Sequence, residues 1–237
     1  TATQPLLHDV AKDKGAIRLK AGHELMHDVP HLFAALKRVE VRDSRKPGGW
    51  TYDEIAALAM SELNRAGSCL VVVNTKDAAK QVFQRCLQAL ANDCVFHLST
   101  DMCPAHRKAV LGRKQDSDDK TVIGRLALGL PVLCVSTQLI EAGVDVDFGV
   151  VVRSLAGLDS IAQAAGRCNS NGRSETGTVH VVDPADERVE KLIDIAIGQE
   201  VTRRILDDFK ADPGRYSHNL VGPQTLQDYY NYFFFNR

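Results

Sequence analysis

Polar side chains that can grip phosphates recur in this sequence at the ends of apolar runs. The segment Val135-Ser136-Thr137-Gln138-Leu139-Ile140-Glu141-Ala142-Gly143-Val144-Asp145 closes such a run with two hydroxyls and an amide, and Gly-Val-Asp follows one short turn later. Hydroxyls at a strand end can hold a nucleic-acid phosphate. The glycine permits a tight turn, and an aspartate so placed can accept a ribose hydroxyl. A second segment, Gln163-Ala164-Ala165-Gly166-Arg167-Cys168-Asn169-Ser170-Asn171-Gly172-Arg173, sets Arg167 at the start of a turn. From there a guanidinium can reach a phosphate with two parallel hydrogen bonds. Each piece alone reads more readily as a helix cap or a surface ion pair. Their order and spacing together point to nucleotide and nucleic-acid chemistry.

These residues need elements to position them. Short runs dense in Val and Leu occur at 70–73, 94–98, 132–135, 150–152 and 179–182, with an earlier one at 39–41. Runs apolar almost throughout are how strands read when both faces of a sheet are covered. Between the second and third runs in chain order, Ala79, Val82, Phe83, Cys86, Leu87 and Leu90 make one stripe and predict a helix over 77–90. Another helix is expected over 52–63. A long amphipathic one is marked by Val189, Leu192, Ile193, Ala196, Ile197, Val201, Ile205 and Phe209, and Asp212-Pro213-Gly214 stops it. Alternating strands and helices predict an α/β fold, a doubly wound parallel sheet, with a helical C-terminal extension. In such sheets ligands bind beyond the carboxyl ends of the strands. That singles out Asn74-Thr75, Ser99, Ser136-Thr137 and Arg153, all able to contact phosphates. The stretch 42–49 reads as a loop. Residues 229–237 hold six of the 14 aromatics and are expected to begin a further packed element, cut short.

Other patterns are weaker. His23-Glu24-Leu25-Met26-His27 matches H-E-x-x-H, but Asp28 and the helix-stopping Pro30 follow at once, so no metal site is expected. The dipeptides His8-Asp9 and His27-Asp28 lack further partners for a metal-dependent phosphohydrolase. Asp186-Glu187 is expected at the N-terminus of the long helix, where the dipole favours acids. No two of the six cysteines are spaced C-x-x-C, which predicts buried, reduced thiols in a cytoplasmic protein.

Composition sets the outer bounds. With 237 residues and 44% hydrophobic residues, the chain can bury a large core. A net charge of -1 excludes a strongly basic nucleic-acid binder, though not a local basic groove. No apolar run approaches a membrane span and no signal peptide opens the chain, so no membrane partner is expected. The first residue is Thr1, and the chain is expected to be part of something longer.

Taken as a set, the segments resemble motifs of superfamily 2 helicases. Residues 135–145 and 163–173 are similar to motifs V and VI of the second RecA-like lobe. The stretch 70–75 resembles motif IV, 97–107 resembles motif IVa, and Thr1-Ala2-Thr3-Gln4-Pro5 resembles motif III at the end of the first lobe. The Thr-Ala-Thr-Gln-Pro opening and the Gly-Arg-Cys-Asn run are similar to the helicase–nuclease of CRISPR type I systems. The resemblance covers about residues 1–185. It implies residues 1–30 as the end of the first lobe and a linker, 31–185 as the second lobe, and 186–237 as a helical linker and the start of an accessory domain.

The resemblance further implies an ATP-driven 3′–5′ translocase on single-stranded DNA, coupled to a nuclease. An RNA-guided surveillance complex would recruit it to degrade foreign DNA in antiviral defence. Asn74, Thr75, Ser99, Thr137 and Gln138 would touch the DNA backbone. Gly143, Asp145, Gln163 and Arg167 would face ATP, with Gln163 and Arg167 catalytic, and the ligands of its Mg²⁺ would lie mostly outside this chain. Thr1 and Thr3 would couple hydrolysis to lobe motion. The sequence departs from the pattern in lacking G-x-x-x-x-G-K-[ST], an acidic magnesium box and nuclease ligands, so the chain alone is expected to be inactive. Ser170 stands where the family has a second arginine. Two alternatives follow: a non-catalytic lobe kept for binding DNA or a partner, and a different superfamily 2 motor.

Overall fold

The structure is a computed structural model that describes residues 35, 37–90, 92–113, 118–141 and 143–235. Thr1, Thr3 and the H-E-x-x-H pattern lie outside the described residues. Six strands form one all-parallel sheet: β1 (Val39–Asp43), β2 (Ser68–Val73), β3 (Val95–Leu98), β4 (Val132–Thr137), β5 (Val150–Ser154) and β6 (Gly177–Val182), in spatial order β1-β6-β5-β2-β4-β3. The expected α/β doubly wound sheet is therefore present, with helices on both faces and a helical C-terminal part.

Alternate residues of the central strands serve two cores. Cys69, Val71 and Val73 of β2 pack with helices α1 (Tyr52–Ala66) and α2 (Lys76–Ala89). Leu70 and Val72 point the other way. They meet α4 (Val122–Leu128), which follows the short α3 (Pro104–Leu111), and the end of α5 (Leu158–Ala165). Both faces are covered, so every residue of β2 beyond Ser68 is buried. Local signals agree with this packing. Thr51 and Glu54 close a capping box on α1, and Gly67 ends the helix in the left-handed conformation at φ 74°.

A third core joins α5 to the C-terminal helices α6 (Ile193–Ala211) and α7 (Pro223–Phe235), through Ile161, Ile205, Leu226, Tyr229 and Tyr230. A Cβ added at Gly198 of α6 would lie 2.9 Å from the Cα of Gly157, the residue just before α5. Only two glycines allow so close a crossing. The aromatic segment is thus the second half of α7, with Tyr229 and Tyr230 buried and Phe234 exposed.

Two expectations are corrected. The long helix begins at Ile193, not near Val189. Residues 183–192 run as turns that bury Val189, and Asp186-Glu187 is not a helix N-terminus, because Glu187 folds back onto the end of β2. The cysteines also divide: Cys69, Cys86, Cys134 and Cys168 are buried free thiols as expected, Cys94 is half-buried and Cys103 is exposed.

Candidate nucleotide and nucleic-acid site

After β2 the chain runs through α2 to β3 on one side, and after β4 it crosses to β5 on the other. The carboxyl ends of β2, β4 and β5 therefore lie side by side, with Val73 in register with Thr137 and Val72 with Arg153. This is the switch point at which open α/β sheets bind ligands.

A buried polar cluster fills it. The Arg153 side chain is 0% exposed. Its Nη1 donates to Asn74 Oδ1 at 2.8 Å and to the Ser154 carbonyl at 2.8 Å, its Nη2 donates to Ser160 Oγ at 3.1 Å, and its Nε lies 2.9 Å from Glu141 Oε1. The Ser160 hydroxyl in turn donates to Glu141 Oε2 at 2.6 Å. Burial pushes the Glu141 carboxyl up, against the pull of the Arg153 charge. On the other side of Asn74, Glu187 accepts the backbone N–H groups of Asn74 at 2.7 Å and Thr75 at 2.9 Å, and the Asn74 side-chain amide at 2.9 Å. The Asn74 amide also donates to the Leu155 carbonyl at 2.9 Å. Burial raises the Glu187 carboxyl too, opposed by the Thr75 and Asn74 backbone donors.

This cluster fixes what the strand-end residues do in this conformation. Asn74 is buried with its amide committed within the protein. The Thr75 hydroxyl caps α2 by accepting from the Ala78 N–H at 3.1 Å. Arg153, which the sequence places as a possible phosphate contact, reaches only protein groups. Thr137 is buried and its hydroxyl has no hydrogen-bond partner, whereas Gln138 beside it is half-exposed. Ser99 is buried at the end of β3, in the wall of a depression of about 450 Å³ that Lys76, Lys80, His97, Asp101 and His106 also line.

The residues expected to face a nucleotide lie on two neighbouring segments. Gly143, at φ 73°, turns the chain outward to the exposed Asp145. The segment then returns under the end of α5. The Phe148 N–H donates to the Arg167 carbonyl at 2.9 Å, and Asp147 accepts the Ser170 N–H at 2.7 Å and the Asn171 N–H at 3.3 Å. The two sequence segments are thus stitched together. Asn169 holds a left-handed φ of 48°, and its side chain binds Ser174 at both ends, pre-shaping the turn. Arg167 is half-buried. Its Nη2 donates to the Glu141 carbonyl at 2.7 Å, and its Nε is buried without a partner. Gln163 is half-exposed on α5. Arg173 is mostly exposed, 3.7 Å from Asp147 and 3.3 Å from the Leu126 carbonyl.

Glu141, Ser160 and Glu187 are the site residues that sequence reasoning missed. A signal existed for the first: an arginine ending the apolar run Val-Val-Val-Arg demands an acidic partner, since arginine is almost never buried unpaired.

Among the described residues no group of three or more His, Cys, Asp or Glu could hold a metal ion, and no helix is long and apolar enough to cross a membrane.

Residues 65–173 match the model of the CRISPR-associated nuclease/helicase Cas3, C-terminal. The Cas3 nuclease/helicase of Haloferax volcanii is 60% identical over 40 residues, 17% of this chain and 4% of that protein. A solved CRISPR-associated protein superposes with a TM-score of 0.60 at 18% identity, over 85% of this chain and 22% of its own. T. fusca Cas3 with ADP superposes at 0.58 and 16% identity, over 84% of this chain and 24% of its own. The chain thus spans under a quarter of the length of these relatives. The matched region is similar to the C-terminal part of the Cas3 nuclease/helicase, and the parallel sheet that contains it has the fold of the solved Cas3 structures.

Proposed function

We propose that this lobe is half of an ATP-dependent 3′–5′ translocase on single-stranded DNA. With a nuclease domain and a first RecA-like lobe of the same protein, it would degrade foreign DNA in CRISPR antiviral defence, in the cytoplasm, recruited by an RNA-guided surveillance complex. In this division residues 1–30 close the first lobe and 186–237 lead into an accessory domain, with Thr1 and Thr3 coupling the lobes.

The observation that carries the reading is the stitching of 143–148 to 167–171, which sets Gly143, Asp145, Gln163 and Arg167 on neighbouring segments. The group fits a nucleotide. Arg167 has a buried Nε without a partner and spends one nitrogen on a carbonyl, which leaves donors for an anion. T. fusca Cas3 has itself been solved with ATP. The nucleotide, when bound, supplies the phosphoanhydride whose cleavage drives motion between lobes. Magnesium belongs, in this reading, to ligands of the first lobe. Arg167 would hold charge that develops on the phosphates, and Gln163 would orient the nucleotide's polar edge. Gln138 and the Lys76–Lys80 depression beside Ser99 supply the DNA face, with Thr137 next to it. Engagement of Asn74 and Thr75 would require Glu187 to give way.

The test is Arg167→Ala in the full-length protein. ATP turnover should fall while the folded lobe persists by circular dichroism; wild-type turnover in a folded variant would remove Arg167 from the nucleotide site. A second reading, a non-catalytic lobe that binds DNA or a partner, draws on Ser170. Its N–H is held by Asp147 and its carbonyl by Arg38 at 2.6 Å, so it supplies no guanidinium where the family has one.

A further inference from the structure

Arg167 hangs from a main-chain carbonyl, and what fixes that carbonyl is a buried ion pair. Glu141 follows directly on the short turn Gln138–Ile140. Soon after it the chain enters the exposed stretch that holds Gly143 and Asp145. The anchor at this point is the Glu141 carboxylate, held 2.9 Å from Arg153 Nε and 2.6 Å from the Ser160 hydroxyl. Its carbonyl takes Arg167 Nη2 at 2.7 Å. Arg153 is itself immobilised by Asn74 and the Ser154 carbonyl, each at 2.8 Å.

A buried pair of this kind adds little net stability over an apolar pair of similar volume, because desolvating two charges offsets their attraction. It does impose a geometry here, since Ser160 bridges Arg153 Nη2 to Glu141 Oε2 while Arg153 Nε faces Oε1, which leaves the carboxylate little freedom to turn.

We infer that Arg153 is a positioning residue for ATP turnover: its pair with Glu141 sets the carbonyl that aims Arg167 at the nucleotide. The inference rests on the reading of Arg167 as a nucleotide contact. Arg153 touches no substrate and acts through Glu141; its bond to Asn74 is a separate route to turnover, which the Arg167→Ala background distinguishes.

The experiment uses the full-length protein and compares Arg153→Met, the double variant Arg153→Met/Glu141→Met, and Arg167→Ala. Melting temperature and DNA-stimulated ATP turnover are read for each. The single variant strands a buried carboxylate and should lose both. The double variant should regain the wild-type melting temperature to within about 2 °C, yet turn over ATP at least about tenfold more slowly, because misplacing a catalytic group by an ångström costs that much or more. Placed in the Arg167→Ala background, the double substitution should lower turnover by less than about twofold, as expected when both act through one group.

Recovery of both melting temperature and turnover in the double variant would make the pair a packing element and overturn the inference. If the double variant does not fold, Glu141→Gln replaces it, keeping the side-chain shape while removing the charge. Wild-type turnover in Glu141→Gln would overturn the inference equally. The two failures are separable. Wild-type turnover in Arg167→Ala defeats the underlying reading, whereas a collapse there beside an unaffected double variant defeats the positioning role alone.

Discussion

Arg153 and Arg167 lie fourteen positions apart and meet the same glutamate, one at its carboxylate and the other at its carbonyl. Arg153 is wholly enclosed, its two Nη groups bonded to protein acceptors and its Nε, though outside hydrogen-bond geometry, ion-paired with Glu141 at 2.9 Å. Arg167 is half-buried, its side chain makes one hydrogen bond among the described residues, and its Nε is orphaned. The same side chain is thus a strut in one place and an unfilled grip in the other. Residue type does not distinguish them; the degree to which the surrounding protein satisfies the guanidinium does.

Stability measurements break this comparison most directly. Arg153→Ala should cost about 3–5 kcal/mol, the usual consequence of leaving a buried partner charge uncompensated. Arg167→Ala should cost about 1 kcal/mol, the worth of one ordinary hydrogen bond. Urea denaturation of the two variants checks both values. Equal losses would mean that Arg167 is as structural as Arg153.

A second measurement sharpens the functional side. An arginine finger contributes about 10³–10⁵ in rate, and serine at position 170 has neither the reach nor the charge to replace it. Ser170→Arg in the full-length protein should raise DNA-stimulated ATPase by about tenfold or more, a conservative part of that factor. Arg173 is the rival, held near Asp147 and the Leu126 carbonyl on the far side of the turn. No gain from Ser170→Arg, with collapse in Arg173→Ala, would make Arg173 the finger.

The smallest effect concerns a group between the two extremes. His97 is half-buried, stacked on Phe83 with centroids 5.1 Å apart, and burial lowers its pKa, against a weaker opposing pull from Asp101. A depressed folded-state value means that the unfolded chain takes up the proton first. The contribution is therefore present above the ordinary histidine range, about pH 6.5, and is lost as pH falls through the folded value. His97→Phe keeps the stack and removes the titration. The drop in melting temperature from about pH 7.5 to about pH 5.5 should be smaller in the variant than in the parent. An unchanged drop would show that His97 does not carry it.

The sheet was legible because its strands are short, β-branched and apolar on both faces, a pattern set by local composition. The helices α1 and α2 were legible for the same kind of reason, each having a full apolar stripe. The shorter α3, α4 and α5 have about two turns each, too few for a stripe to stand out from chance. The start of α6 was misplaced because apolar spacing continues back to Val189, which is buried in a turn rather than on a helix face. At the site, the two segments that carry Gly143, Asp145, Gln163 and Arg167 could be read because each is contiguous in sequence. The Arg153–Glu141 pair and the fold-back of Glu187 onto Asn74 could not. Their partners are brought together by crossovers of the chain, and sequence spacing carries no trace of that.

The crossing of Gly157 and Gly198 has a mechanical meaning. With no side chain between them, α6 bears directly on the backbone that launches α5, and the Tyr229 hydroxyl of α7 clasps Asp159 at 3.2 Å on that same first turn. There is no compliant layer at this joint to absorb a displacement. A force applied to α7 would be delivered along α5 to the turn that carries Arg167. The C-terminal helices are, in that sense, a crank keyed to the shaft rather than a flap hinged beside it.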